Sequence, residues 1–203
     1  VHDFELAFIG HTSESVEEQI SHGAWGMAEE TCTWINTAIN TSAQQNPADG
    51  FGYTVGKMIA EKNLPHKEAS LLYWCYTLKV PATVHVAIGA NIIHQHPSFD
   101  GAATGKLSHT DFKKLVETVS KLEHGVAINC GSAVLLPEVF GKSLNLVRNV
   151  GIKVHHITTA NFDMLDQYRP RMNIVQRPTQ NGGRGYNFKG HHELMVPLLA
   201  RCI

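Results

Sequence analysis

The chain has 203 residues, 43% of them hydrophobic and 17% charged, and 17 Lys and Arg against 18 Asp and Glu leave a formal net charge of -1. That length and balance fit one globular domain with a sizeable core and argue against disorder. The near-neutral charge, without a Lys/Arg-rich run, predicts no nucleic-acid partner, and the lack of an apolar run approaching ~20 residues predicts no membrane span.

From Ser13 to Asn40, Val16, Ile20, Trp25, Met27, Ala28, Trp34, Ile35 and Ile39 recur at roughly helical spacing, broken near Gly23 and Gly26, which predicts two helices or one interrupted helix. QQNPADGFG, 44–52, reads as a loop. YTVGKMIAEK and HKEASLLYWCYTLK read as short helices separated by Asn63-Leu64-Pro65, and Trp25, Trp34 and Trp74 are expected in the core. Val80 to Ile88 is β-branched and apolar for long enough to predict a strand buried on both faces.

SHTDFKKLVETVSKLEHG opens with Ser108 and Asp111 in capping-box positions, carries Phe112, Leu115, Val116, Val119 and Leu122 on one face, and stops at Gly125. GVAINCGSAVLLPEVFGKSLNLVRNVG follows as a strand, a small-residue turn and a helix with Pro137 near its first turn. IKVHHITTAN and MNIVQ read as two more strands, and HHELMVPLLARCI as a closing helix.

Alternation of strand and helix through the second half predicts an α/β fold, Rossmann-like and doubly wound around a mainly parallel sheet, in one domain over 1–203. The chain opens on VHDFELAFIG, without Met and already inside an apolar pattern, which reads as the later part of a longer protein. Cys32, Cys75, Cys130 and Cys202 are widely spaced and form no CxxC pair, so reduced thiols and a cytoplasmic location are expected.

Ligands of such folds bind at the carboxyl ends of strands. In AINCGSAVLLPEV a strand delivers Gly131, Ser132 and Ala133 into a helix start, where free backbone N–H groups and the positive dipole end suit a phosphate, although the full GxGxxG fingerprint is missing. In NIIHQHPSFDGAATG, His94 and His96 stand two apart. On a strand they would share a face and could ligate one metal, with Asp100 or Glu193 and one of His155, His156, His191 or His192 completing the shell. Pro97 and the small residues after it favour instead histidines that line a cleft, and no metal is assigned. Ser132, Ser98 and Cys130 lack a nucleophile motif.

Four segments in register, from about Glu68 to Ala200, resemble the deoxyhypusine synthase family. SLLYWCYTLKVPATVHVAIG with SFDGAATG resembles that family's helix, short strand and TDG turn. VAINCGSAVLLPEV resembles its strand and triple-glycine turn, RNVGIKVHHITTANFD its segment ending in TAQ and FD, and HHELMVPLLA its closing helix, which begins DAS.

The resemblance implies a Rossmann-like NAD-binding fold and a homotetramer with sites between subunits. In the family reaction NAD oxidises spermidine, and an active-site lysine carries the aminobutyl group as an imine to a protein lysine. Carried over, the family's NAD-contacting Asp-Gly falls on Asp100 and Gly101, its glycine turn on Gly131 and Ser132, and its TAQ on Thr159, Ala160 and Asn161. Its DAS falls on His191, His192 and Glu193, an acid of its polyamine pocket on Asp166, and its active-site histidine near Pro137 or Glu138. The catalytic lysine has no counterpart, because IVQRPTQNGG holds none and Lys189 stands farther along the chain; arginine cannot substitute, since it stays protonated. AATGK also lacks the polyamine-binding acid. A histidine titrates near neutrality, so one of His94, His96, His155 or His191 is the expected general base for an amine substrate.

Overall fold

Helical periodicity dominates residues 1–114, and every regular element described there is helical. The computed structural model describes residues 1–12 and 28–203, which divide into two units, 1–114 and 115–203. The predicted helical positions Val16, Ile20, Trp25 and Met27 lie outside the described residues.

In the first unit, α1 (His2–Ile9), α2 (Glu29–Gln45), α3 (Gly50–Glu61), α4 (Leu71–Thr77) and the first turns of α5 (Gly101–Ser120) surround one core. α2 buries Cys32, Ile35, Ile39 and Ala43, spaced as one helix face. Against it lie Phe4 and Ala7 of α1, Val55 and Ile59 of α3, and Leu107 of α5. Ile59 and Leu107 are fully buried, each contributing about 1.5–3 kcal/mol of transfer free energy. Trp34 packs on this core, with its ring edge-on to Phe4 at 6.2 Å. Trp74 does not; it is 41% exposed and its Nε1 donates to the Glu68 carbonyl.

α3 and α4 approach closely at Gly56, and Gly52, one turn earlier on α3, lets the chain beyond α4 pass close to the same helix. A Cβ on Gly56 would lie 2.4 Å from the Leu72 carbonyl oxygen, and one on Gly52 2.3 Å from that of Ala82.

The strand predicted over Val80 to Ile88 does not form, and Val80 and Ile88 are 54% and 59% exposed. A strand needs a neighbour to take its backbone groups. Here side chains of α5 take them: Val84 N–H donates to Asp111 Oδ2 at 2.9 Å, Val86 N–H to Ser108 Oγ at 3.2 Å, and Ser108 Oγ–H to the Val84 carbonyl at 3.0 Å. Ser108 and Asp111 therefore do not start the helix. α5 begins at Gly101, and Asp100 caps it, its Oδ1 accepting from the N–H groups of Ala102 and Ala103 at 2.8 and 3.0 Å.

The second unit is mixed α/β. Its elements are β1 (Val126–Cys130), α6 (Leu135–Asn149), β2 (Thr158–Asp163), a helical run, β3 (Arg184–Lys189) and α8 (His192–Cys202). The helical run opens as α7 (Tyr168–Pro170) and continues through a π-helical turn, Arg171–Gln176, and a 3-10 turn, Arg177–Thr179. The three strands form one sheet in the order β1-β2-β3, parallel throughout, with Ile128, Ala160 and Tyr186 in register. Val119, Leu144, Val147, Val154 and Ile157 make this unit's core.

MNIVQ is thus helical, not a strand. Pro170, Asn173, Ile174 and Pro178 are the buried positions of this run, a spacing of three and four that belongs to a helix face. The run is fastened to the sheet by Thr159, whose Oγ1 donates to the Ile174 carbonyl at 2.6 Å. The third strand is RGYNFK, where Tyr186 and Phe188 alternate with polar residues; Phe188 stacks on Phe162 with centroids 4.8 Å apart. Among the described residues no helix is long and apolar enough to cross a membrane.

Candidate functional site

Parallel pairing carries all three strand ends of the second unit to one edge. Close to that edge, Asn129, one residue from the end of β1, and Asn161 and Asn187, each two residues from the ends of β2 and β3, occupy the same register row and form a ladder. Asn129 Nδ2 donates to Asn161 Oδ1 at 2.7 Å, and Asn161 Nδ2 donates to Asn187 Oδ1 at 2.8 Å. Asn161 is 1% exposed, so the ladder satisfies amides that would otherwise be buried at a cost.

Beyond β1 the chain turns at Gly131, whose φ of 69° is a left-handed conformation open to glycine at little cost. Its N–H donates to the Phe162 carbonyl at 3.0 Å, and Asn129 Nδ2 also holds the Ser132 carbonyl at 3.1 Å. Ser132 Oγ accepts from the Leu136 N–H at 3.1 Å, tying the turn to the first turn of α6. A Cβ on Gly131 would lie 3.1 Å from His192 Nε2, so glycine here lets the imidazole of the first residue of α8 pack against the turn. His192 Nδ1 is buried and has no hydrogen-bond partner.

At the same edge, Asp163 ends β2 and Lys189 ends β3, and the two are register partners. Lys189 is exposed. The alternation of Tyr186 and Phe188 with polar residues marks the strand that brings it there.

Of the positions named from the sequence, Gly131, Ser132, Asn161 and His192 are gathered at this edge. Thr159 and Ala160 lie deeper in β2; the Thr159 hydroxyl is committed to Ile174. His191 is the residue before α8 and Glu193 stands in its first turn, where a carboxylate is favoured by the helix dipole. Asp166 follows β2 and pairs with Arg171 at 2.9 Å. Glu138, in the first turn of α6, accepts from Arg169 at 3.2 Å and from Asn173 at 2.9 Å. His155 precedes β2 and belongs to the opposite, amino end of the sheet; its N–H donates to Glu123 Oε2.

His94, His96, Asp100 and Gly101 belong to the first unit. The strand that would align His94 and His96 is absent, for Ile92–Gln95 is a 3-10 turn. His94 Nδ1 accepts from the Gly89 N–H at 3.0 Å, and burial lowers its imidazole pKa below 6.5. A neutral ring that accepts at Nδ1 carries its proton on Nε2, which makes Nε2 a donor and not a base. His96 Nδ1 meets Ser98 Oγ at 2.7 Å and its Nε2 meets Glu29 at 3.1 Å, so both nitrogens are engaged. Asp100 uses its carboxylate as the cap of α5.

Two concavities are described. A cleft of ≈ 250 Å³ in the second unit is bordered by Glu138, Lys142, Arg148 and Arg177, and a wider groove of ≈ 640 Å³ in the first is bordered by α2 and α3. Neither includes a nominated cofactor residue; the strand edge has the chemistry, and the clefts have the volume. No family model, curated protein or solved structure matches this chain.

Proposed function

We propose that this chain is a deoxyhypusine-synthase-like, Rossmann-like NAD-binding enzyme of the cytoplasm, acting on a polyamine or related amine as a homotetramer. The observation that carries the reading is the parallel strand edge, where a glycine turn enters α6 beside Asp163 and Lys189. Dinucleotides bind outside the carboxyl ends of such strands, with phosphate against a helix start.

The residues present fit that group. Gly131 lets the turn's backbone lie against the His192 ring, whose buried Nδ1 has no hydrogen-bond partner. Gly131, Ser132 and His192 would hold the dinucleotide, with the Asn129, Asn161 and Asn187 ladder fixing the floor beneath them. NAD, when bound, supplies the hydride acceptor for oxidation of an amine carbon. Lys189 Nζ, once deprotonated, is the amine able to carry the resulting group as an imine, and Asp163, its register partner, is the carboxylate that attracts a cationic substrate. Helices on both faces of the sheet, as a doubly wound fold requires, form part of this proposal.

The histidine-cluster hydrolase is the weaker reading, because His94 and His96 are each engaged by neighbours and share no strand face. A non-catalytic family member would keep the edge and lack the amine chemistry. Calorimetry with NAD, followed by incubation with NAD and labelled spermidine, borohydride reduction and peptide mapping, separates these. The expected result is NAD binding and label on Lys189, lost in Lys189→Arg. NAD binding with no label at any lysine would leave the non-catalytic member standing; no NAD binding at millimolar concentration would remove the proposal altogether.

A further inference from the structure

At the amino ends of β1 and β2, opposite the edge described above, one carboxylate and two imidazoles converge. Glu123 and His124 follow α5 in the loop before β1, and His156 precedes β2. One ligand atom from each lies within 4.8 Å of the other two. Glu123 Oε1 is 2.7 Å from His156 Nδ1 and 3.9 Å from His124 Nε2, and the two imidazole rings stack at 5.6 Å with 17° between their planes.

The backbone holds these groups in place. His124 has a φ of 63°, a left-handed conformation that a residue with a Cβ adopts at a cost. It is kept there by its N–H, which donates to the His156 carbonyl at 3.0 Å, and by Thr158 N–H, which donates to the Gly125 carbonyl at 2.9 Å. Glu123 Oε2 accepts from the N–H groups of both His155 and His156, so its other oxygen is left for the imidazoles. Gly182, at φ 107°, packs against the His156 ring, with its missing Cβ position 3.0 Å from Nε2.

We propose that Glu123, His124 and His156 form a surface site for a divalent transition-metal ion, zinc being the chemical fit. Two neutral imidazoles and one carboxylate are a zinc donor set, and three protein ligands leave the fourth position to water. Tetrahedral ligands at bond lengths near 2.1 Å stand roughly 3.4 Å apart, between the two separations seen here, so rotation of the side chains brings the three ligand atoms to the ion. The 2.7 Å contact with Glu123 Oε1 needs the proton on His156 Nδ1, so an ion that takes Nδ1 breaks this hydrogen bond and leaves the proton of the neutral ring on Nε2. The site does not rest on the dinucleotide reading, because it uses none of the residues at the carboxyl edge.

The test is titration of the metal-stripped protein with Co²⁺, read by visible absorption, and with Zn²⁺ against a chromophoric chelator. Wild type is expected to bind one ion with the absorption of a four-coordinate cobalt centre. His124→Asn, which tolerates the left-handed backbone, and His156→Ala are each expected to weaken binding by at least about tenfold, whereas His94→Ala and His96→Ala leave it unchanged. Circular dichroism checks that each variant is folded. Failure of wild type to bind, or equal affinity in folded His124→Asn, would overturn the site.

Discussion

Asn129 Nδ2 donates to Asn161 Oδ1 at 2.7 Å, one residue before the end of β1 and two before the end of β2, and Asn161 passes the bond on to Asn187. Asn161 is the centre of this row, so its replacement by leucine strands a donor on one side and an acceptor on the other. Asn161→Leu is expected to cost about 1–3 kcal/mol, measured by urea denaturation, and, on the proposed dinucleotide reading, to weaken NAD binding with it. A neutral substitution would mean that the amides are satisfied by water and that the row does not support the edge.

Asp111 is fully buried and accepts from the N–H groups of Gly52 and Val84, both at 2.9 Å. Asp111→Ala leaves both donors without a partner and is expected to lose about 2 kcal/mol or more. Burial raises the carboxyl pKa above 3.8, against the pull of the N–H groups and Lys114. The unfolded chain therefore ionises first as pH rises. The stability advantage of wild type over Asp111→Ala should fall from about pH 4 through the raised folded pKa and then level off. Chemical denaturation across that range checks the sign; an advantage that grows with pH contradicts it.

Asp100 caps α5 through its side-chain oxygen. Asp100→Ala should cost about 1 kcal/mol, and Asp100→Ser should recover most of it, because a hydroxyl can also accept from the first-turn N–H groups. Thermal melts of the two variants check the order, and an Asp100→Ser protein no more stable than Asp100→Ala would show that the cap contributes little.

Gly56 permits the α3–α4 contact at a point where a Cβ would stand 2.4 Å from the Leu72 carbonyl oxygen. Gly56→Ala gains helix propensity of about 1 kcal/mol in isolation, yet is expected to destabilise the unit by about 1–3 kcal/mol, since the backbone of α4 must move. A more stable Gly56→Ala protein, by thermal denaturation, would show that the two helices separate at little cost.

The sequence by itself determined the elements whose signals are local: the faces of α2 and α5, the short apolar strand β1, the Gly131 turn, the Pro137 entry to α6 and the closing helix. Periodicity and turn chemistry act within a few residues, so they are legible without knowing what lies alongside. Only the tertiary structure decided the rest. Val80 to Ile88 has strand composition, but its backbone groups meet Ser108 and Asp111 of α5 in place of another strand. Five residues of MNIVQ cannot separate a two-residue from a 3.6-residue period; burial of Ile174 and the hydrogen bond from the Thr159 hydroxyl to its carbonyl go with the helix. The same holds for the candidate sites. Lys189 reaches the strand edge through the pairing of β3 with β2, and Glu123 meets His156 because Gly125 and Thr158 bond at the amino ends of β1 and β2. Those meetings join residues far apart in the chain, and the free energy that selects them comes from backbone pairing and burial, which no local window of sequence contains.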